Sequence, residues 1–150
     1  MKTYNSNQEI VKQRNDLLSE YQLYYRHLRA FHWLVIGPQF YQLHERFESF
    51  YDEAAEDIDE IAERILMIGG KPLHTLADYL EHASLKPKKD LTRPSEMIPV
   101  VIEDLAHLLG TFRRIASIAG DADDEGTVAL MGDFIGKTEK KLWMLNIFQA

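Results

Sequence analysis

Four residues in one segment of helical periodicity carry side chains that bind transition metals: His44, Glu48, Asp59 and Glu63. At about 100° per residue they project at about 0°, 40°, 60° and 100° around a helix, and therefore share one face. The i, i+4 spacing within each pair places its two side chains one turn apart. Imidazole with carboxylate is a ligand set of iron, manganese or zinc, so the pattern predicts a site for such an ion.

The two pairs are too far apart for one chain to hold a single ion with both. Their midpoints, residues 46 and 61, are separated by roughly 22 Å at about 1.5 Å per residue. Two copies of the helix, antiparallel about a two-fold axis near residues 53 and 54, would bring the first pair of one chain opposite the second pair of the other. Ala54 and Ala55 are expected at the crossing point. The spacing therefore predicts two equivalent sites per dimer at an isologous interface.

Two residues of the preceding helical segment extend this site. His32 is predicted to complete the ligand set, and Trp33 is expected beside it. For each ligand residue taken alone, the alternative is an ordinary amphipathic helix with a charged outer face, and for Trp33 it is core packing. The ligand residues taken together favour the metal site.

Other charged and imidazole side chains are expected to have ordinary roles. Glu56, Asp57 and Glu60 point off the ligand face and are predicted to be solvated. No carboxylate stands at a persuasive spacing from four further histidines, which are predicted to be structural or surface residues: His27, His74, His82 and His107.

Composition limits the class of protein. The 150 residues have a net charge of −7, 45% hydrophobic residues and no cysteine, which predicts a single globular domain without disulfides. There is no apolar run of transmembrane length and no secretory signal at the N-terminus, and we expect a cytoplasmic protein. The acidic balance argues against a duplex-binding surface and suits a protein that attracts cations.

Hydrophobic periodicity predicts a bundle of four long helices. The expected segments are residues 5–35, capped by Ser6 or Asn7; from Pro38 to Ile68, stopped by Gly69; Ser95 to Ala119, followed by Gly120; and Asp123 to Phe148, capped by Asp123. A short helix from Thr75 to Ala83, capped by Thr75, is predicted within the connection at 71–93. Such a long connection lets the second and third long helices run parallel, as in ferritin-like bundles.

Two charged clusters have open interpretations. Asp121, Asp123, Asp124 and Glu125 precede the last helix, where they suit the helix dipole or would form an acidic pore ring between subunits. The basic cluster at 86–90 is expected to be a solvated loop rather than a nucleic-acid contact. No Glu-x-x-His motif is present, which argues against a di-iron centre inside one bundle.

The order of these motifs resembles the Dps mini-ferritins. The resemblance is carried by His32-Trp33, Gly37, Phe40 and His44, then an acid four residues on, then Asp59-x-x-Ala-Glu-Arg and Lys141-Leu-Trp-Met-Leu. It implies a four-helix bundle with a short helix in the central connection, which assembles as a hollow dodecamer.

The resemblance also implies an activity. Family members oxidise Fe(II) at dinuclear two-fold sites, commonly with hydrogen peroxide, and store the ferric mineral. By position, His32, His44 and Glu48 would come from one subunit and Asp59 and Glu63 from its partner. Asp121, Asp124 and Glu125 would line three-fold pores.

Some positions depart from the family pattern. Position 48 is Glu where Asp is common, and position 129 is Ala where a further pore acid is expected. Residues 1–14 offer only Lys2, Lys12 and Arg14 in place of a Lys-rich tail, so weak DNA binding or none is expected. The hypotheses are therefore a ferroxidase and iron store, a nucleoid-binding dodecamer with a secondary iron role, and a cage that holds zinc without redox chemistry.

Overall fold

Five helices account for the fold. The computed structural model describes residues 2–150, with side chains described from Gln8 onward. The helices are α1 (Lys2–Leu34), α2 (Phe40–Met67), α3 (Leu76–His82), α4 (Pro94–Asp121) and α5 (Glu125–Gln149), and residues 2–150 contain no strand. The predicted all-α, ferritin-like architecture of four long helices and one short crossover helix is confirmed.

The connection between α1 and α2 is longer than predicted. Gly37 has φ +107°, a backbone conformation that favours glycine, and its carbonyl accepts from the N–H of Phe40 at 3.1 Å. Because this turn takes up Pro38, α2 begins two residues later than expected. α1 begins at Lys2 rather than residue 5, so Ser6 and Asn7 lie within the helix and the predicted caps at these positions are wrong.

The predicted start of the last helix is wrong by two residues. Asp123 has φ +58° and belongs to the turn, whereas the Asp124 carboxylate accepts from the N–H of Thr127 at 3.2 Å and caps α5. Gly120 lies inside the last turn of α4 rather than after it. The predicted cap of the short helix is confirmed, since Thr75 accepts from the N–H of Asp78 at 3.2 Å.

Cross-helix contacts define the topology. α1 runs antiparallel to α2 and to α4, as the pairs Tyr21–Asp57 and His27–Asp104 show together with the bond between His32 and His44. α2 and α4 are therefore parallel, as predicted from the long connection. Buried apolar and aromatic side chains from all four long helices form one core between them.

Buried acids fasten the crossover to the bundle. Glu20 accepts from the N–H and hydroxyl of Ser84, and lies 3.2 Å from Nε2 of His107. His27 is buried, with Nδ1 2.6 Å from Asp104 and Nε2 3.0 Å from the carbonyl of Lys86. No spacing in the sequence indicated these carboxylate partners, because both lie on distant helices, and the contacts give the two histidines a structural role.

Among residues 2–150, no helix combines the length and apolar character needed to cross a bilayer.

Candidate metal centre

Two imidazoles meet where α1 ends and α2 begins. The rings of His32 and His44 stack with their centroids 3.8 Å apart and their planes 14° apart. Nδ1 of His32 lies 2.6 Å from the carbonyl of His44, and Nδ1 of His44 lies 2.7 Å from the carbonyl of His32. Because a carbonyl only accepts, each Nδ1 carries a hydrogen, so Nε2 is the nitrogen of each ring that can bind a metal.

Two aromatic rings hold this stack from both ends. Phe40 stacks on His44 with 4.9 Å between centroids, and the ring of Tyr51 is nearly perpendicular to that of His32, with 5.4 Å between centroids. All four rings come from α2 or the end of α1, so the orientation of both imidazoles is set within one subunit. Tyr51 was not predicted from the sequence, and Phe40 was named only as part of the family resemblance, although both residues lie at helical spacings from His44.

The three predicted carboxylate ligands are free of ion pairs among the described residues. Glu48, Asp59 and Glu63 are exposed, and none of them forms an ion pair with another described residue. The buried side of α2 is marked by Leu43 and Ile61. Around the helix axis it projects about 90° from His44, in the direction opposite to that of the three carboxylates. The carboxylates therefore point out of the subunit.

The crossing-point prediction is half wrong. Ala54 is only 1% exposed and packs in the core of its own bundle, because it lies at about 280° on the same helical wheel. Ala55 is exposed and lies at about 20°, within the arc of the predicted ligands. Of the two alanines, only Ala55 is available to contact a second helix.

One chain does not assemble a metal site from its described side chains. Within residues 8–150, no three His, Asp or Glu side chains come together to hold an ion. The two imidazoles gather at one end of α2, and Asp59 and Glu63 lie roughly 22 and 28 Å from His44 along the same helix. The pairing of these two groups across a two-fold axis stays a prediction.

Two exposed apolar residues lie on the ligand face at symmetric positions. Tyr41 is 82% and Leu66 59% exposed, and they project at about 60° and 40°, between the ligands. Residues 41 and 66 are equidistant from the midpoint of positions 53 and 54, as are 44 and 63, and 48 and 59. Large apolar side chains left open to solvent at such positions are typical of an interface.

Trp33 does not touch the imidazole stack of its own chain. Its indole is 65% exposed and lies over the guanidinium of Arg29, 5.2 Å from the ring centroid. Among the described aromatic contacts, Tyr51 and not Trp33 packs against His32. The predicted place of Trp33 beside the iron thus depends on a second subunit and stays a prediction.

The acidic side chains within the bundle are already paired. Asp57, predicted to be a solvated charge, is 4% exposed, accepts from the hydroxyl of Tyr21 at 2.9 Å and contacts Nζ of Lys137 at 2.9 Å. Burial raises the pKa of Asp57 although Lys137 opposes the shift. Glu53 contacts Lys141 at 2.5 Å, so these carboxylates join α2 to α5. The prediction for Asp57 is wrong because the helical wheel does not show which neighbour covers a position.

The acidic cluster before α5 has a structural role in part. Besides capping α5, Asp124 contacts Arg64 at 2.6 Å and Thr127 through its hydroxyl. Burial raises the pKa of Asp124, but the hydrogen bonds from Thr127 and Arg64 outweigh it, and the pKa is lowered overall. Asp121 and Glu125 are exposed. The pore assignment of these acids stays a prediction.

Known proteins are similar to this chain over nearly its whole length. The ferritin-like domain family matches residues 11–149. The DNA protection during starvation protein of Porphyromonas gingivalis is 42% identical over 139 residues, which are 93% of this chain and 87% of that protein. The protein of the same name from Brevibacillus brevis is 40% identical over 134 residues, covering 89% of this chain and 90% of its relative.

Solved structures agree. A Dps protein from Vibrio cholerae O1, described as a member of a broad superfamily of ferritin-like diiron-carboxylate proteins, superposes with a TM-score of 0.96 at 36% identity, over 97% of this chain and 92% of that one. A Dps protein from Bacillus brevis gives a TM-score of 0.94 at 38% identity, over 97% and 98%. Identity and coverage of this extent show that the chain belongs to the Dps family of ferritin-like proteins.

Proposed function

We propose that this protein is a ferroxidase and iron store. It oxidises Fe(II), preferentially with hydrogen peroxide, at dinuclear sites between two-fold-related subunits, and it stores the ferric product inside a hollow dodecamer. Iron is the substrate of this reaction. In a cytoplasm under oxidative stress, the reaction would remove Fe(II) and hydrogen peroxide, which together form hydroxyl radicals.

The mirror spacing on α2 carries the proposal. Positions 44 and 48 repeat as 63 and 59 about one midpoint, so a two-fold axis there sets each imidazole opposite a carboxylate of the partner. The free Nε2 atoms of His32 and His44, together with Glu48, would supply one half of each site. Asp59 and Glu63 of the other subunit would supply the second half.

The stacked imidazoles favour two ions over one. A metal ligated by a histidine lies close to the plane of the ring, about 2.0–2.1 Å from the nitrogen. An ion shared equally by the two parallel rings would lie about 1.9 Å out of each plane, half of the 3.8 Å between centroids. His32 and His44 therefore suit separate ions, which the carboxylates can bridge.

Carboxylate-rich ligation fits oxidation. Hard oxygen ligands favour Fe(III) over Fe(II), so binding promotes loss of an electron. Two irons at one site deliver two electrons to one peroxide, which breaks its O–O bond and, with two protons, yields two water molecules. No hydroxyl radical is released when both electrons arrive together.

Exposed apolar side chains support a larger assembly. Besides Tyr41 and Leu66, the exposed large hydrophobic residues lie at and just after the end of α1, at the end of α2, on α3 and near the end of α5: Trp33, Leu34, Ile36, Met67, Leu76, Leu80, Trp143, Met144, Ile147 and Phe148. Several separate groups of this kind suit a subunit with more than one kind of neighbour. Together with the family resemblance, they support the dodecamer, whereas the acidic pores rest on that resemblance alone.

Complementation between two inactive variants tests the shared site. One variant carries His32→Ala and His44→Ala, and the other carries Asp59→Ala and Glu63→Ala. Each alone should lose peroxide-dependent Fe(II) oxidation. When they are co-expressed in equal amounts, half of the dimers are mixed and each mixed dimer has one complete site of two, so about one quarter of the wild-type activity should return. A site within one subunit would give no recovery.

Anaerobic titration separates ferroxidase activity from metal storage. Stoichiometric Fe(II) is mixed with peroxide and followed by absorbance for the wild type and for the variant with His44→Ala and Asp59→Ala. Oxidation near two irons per peroxide, lost in the variant, supports the proposal. If neither protein oxidises iron faster than buffer, a cage that holds zinc or another divalent ion becomes the better description.

DNA binding is the second candidate, because relatives are named for DNA protection during starvation. Against it, Arg14 is fully buried and donates to Thr127, so its guanidinium does not face solvent, and the other described cation of this segment, Lys12, lies 3.4 Å from Asp16. A mobility-shift assay at low salt tests it, and a shift without added divalent cations would favour the DNA-binding function.

A further inference from the structure

A buried histidine of α1 faces an oxygen acceptor at each of its ring nitrogens. His27 is 3% exposed, and its Nδ1 lies 2.6 Å from Oδ2 of Asp104 on α4, while its Nε2 lies 3.0 Å from the carbonyl oxygen of Lys86 in the crossover. The carbonyl only accepts, so Nε2 carries a hydrogen. If Nδ1 carried none, its lone pair would face an ionised carboxylate at hydrogen-bond distance. Both contacts are therefore satisfied only when the pair holds one proton more than a neutral imidazole and a carboxylate.

The extra proton belongs to the bond between Nδ1 and the carboxyl group. Histidine is ordinarily a stronger base than aspartate by about 2.6 pKa units, which favours the imidazolium over the carboxylic acid. Burial raises the pKa of Asp104, although the hydrogen bond and the charge of His27 oppose that shift. The result is a buried ion pair without net charge.

Other charged groups leave this pair to itself. Charged and titratable side chains approach the pair, or the neighbouring Tyr24, from every element packed there: Arg26 of α1, Glu53 and Asp57 of α2, Tyr79 of α3, Lys88 of the crossover and Glu103 of α4. Lys137 of α5 pairs with Asp57. Within residues 8–150, none of these groups forms a hydrogen bond or an ion pair with His27 or Asp104.

Loss of the extra proton breaks the contact with the crossover and spares the contact with α4. One ring hydrogen then remains for two acceptors. The ionised carboxylate of Asp104 keeps it, because a charged acceptor forms the stronger hydrogen bond. The lone pair of Nε2 is left facing the carbonyl oxygen of Lys86, and the two repel each other.

The crossover has further anchors on both sides of this contact. On one side Glu20 accepts from the N–H of Leu85 at 3.1 Å. On the other side the carbonyl of Thr92 accepts from the N–H of Ile36 at 3.0 Å. Neither anchor involves His27, so the segment that depends on the histidine is limited to residues 86–91.

We infer that His27 and Asp104 form a proton-dependent latch for residues 86–91 of the crossover. The latch is closed while the pair holds its extra proton, and it opens as the pH rises and this proton is lost. Opening releases the loop that carries the basic cluster and leaves both anchors in place. Because the folded pair holds a proton that a neutral histidine and an ionised aspartate of the unfolded chain lack, the stability that the latch contributes also falls as the pH rises.

Nitrogen NMR of the assembled wild type tests the protonation of the pair. Histidine is labelled with the heavy nitrogen isotope, spectra are recorded with magic-angle spinning, and the His27 ring is assigned through its bonded neighbours Arg26 and Leu28. At about pH 7.5, about one unit above the ordinary histidine pKa, we expect both ring nitrogens of His27 to be protonated. A bare ring nitrogen at this pH would overturn the inference, and this outcome does not depend on the folding of a variant.

A spin label on the crossover tests the movement. The chain has no cysteine, so a nitroxide attached to Lys89→Cys, an exposed position, reports on this loop alone. Between about pH 7 and about pH 9.5 the label should change from restricted to faster motion. Circular dichroism and size exclusion should show that helices and assembly persist over the same range.

Asp104→Asn in the labelled protein is the matched control. Its amide can donate to Nδ1 and leave the hydrogen of Nε2 on the carbonyl of Lys86 without an extra proton. The change in label motion should therefore disappear in this variant. Label motion that is independent of pH in the presence of Asp104, or an equal change in Asp104→Asn, would overturn the latch. A midpoint that differs from the loss of the imidazolium signal of His27 would overturn it as well.

Discussion

Replacing Gly126 by alanine should weaken the junction of α2 and α5. A Cβ atom at this position would clash with Nη2 of Arg64 and lie 2.8 Å from its Cζ. The guanidinium would have to move, although it contacts Asp124 at 2.6 Å. Asp124 in turn caps α5, so displacement of Arg64 affects the start of that helix as well.

Two opposing terms set the magnitude. Alanine is favoured over glycine by up to about 1 kcal/mol within a helix, and by less in its first turn. Loss of a hydrogen bond to a charged group costs about 1.5–3 kcal/mol, and the lower end applies here because Arg64 is partly exposed. We expect Gly126→Ala to lower the free energy of unfolding by about 0.5–1.5 kcal/mol net.

The same helix supplies the control. Gly132 lies in the interior of α5, and a Cβ atom there would meet nothing within 4 Å. Gly132→Ala should therefore stabilise the protein by up to about 1 kcal/mol. Urea denaturation of both variants at equal subunit concentration, with assembly checked by size exclusion, measures the difference in sign. If Gly126→Ala stabilises the protein as much as Gly132→Ala, the Arg64–Asp124 contact contributes nothing and the reasoning is refuted.

Three further predictions concern buried pairs and the metal site. Asp104→Ala should lower the free energy of unfolding by about 3–5 kcal/mol, because it leaves the buried His27 unpaired. Asp104→Asn should lower it clearly less, because the amide keeps a hydrogen bond to His27. Equal losses of stability in urea denaturation would contradict this. The lowered pKa of Asp124 means that its ionised form stabilises the fold, so the gap in urea midpoint between wild type and Asp124→Asn should be constant above about pH 5 and close as the pH falls below about 4. A gap that stays open at low pH would rule out ionised Asp124 as its source. Zinc loaded beforehand should slow peroxide-dependent Fe(II) oxidation by occupying the imidazoles, and calorimetry should show less zinc bound to His44→Ala; unchanged zinc binding would exclude His44 as a ligand.

Local sequence determined the helices and the ligand face. The 3.6-residue period of apolar side chains and the Gly37 and Gly69 breaks specify the four long helices and the crossover without knowledge of the tertiary structure. The arc shared by the four ligands on α2 follows from residue spacing alone. Errors remained at the ends of helices, as at Pro38 and Asp123, where turn geometry chooses between adjacent residues.

Tertiary packing decided which polar side chains are free. Asp57 and Glu48 both lie on α2 and look alike in sequence, but Lys137 of α5 pairs with the buried Asp57, whereas Glu48 is exposed and has no ion-pair partner among residues 8–150. His27 and His107 find their carboxylates 77 residues away on α4 and at Glu20 on α1, distances at which no local pattern operates.

The chemical state of the imidazoles also needed three dimensions. The sequence places His32 and His44 at the two ends of a tight connection, and predicts that both bind metal. Only the fold shows that each ring donates Nδ1–H to the other's carbonyl and rests against Phe40 or Tyr51. Helical periodicity fixes the direction of a side chain from its own axis, whereas hydrogen bonds and ring contacts depend on what the neighbouring helix brings to the same place.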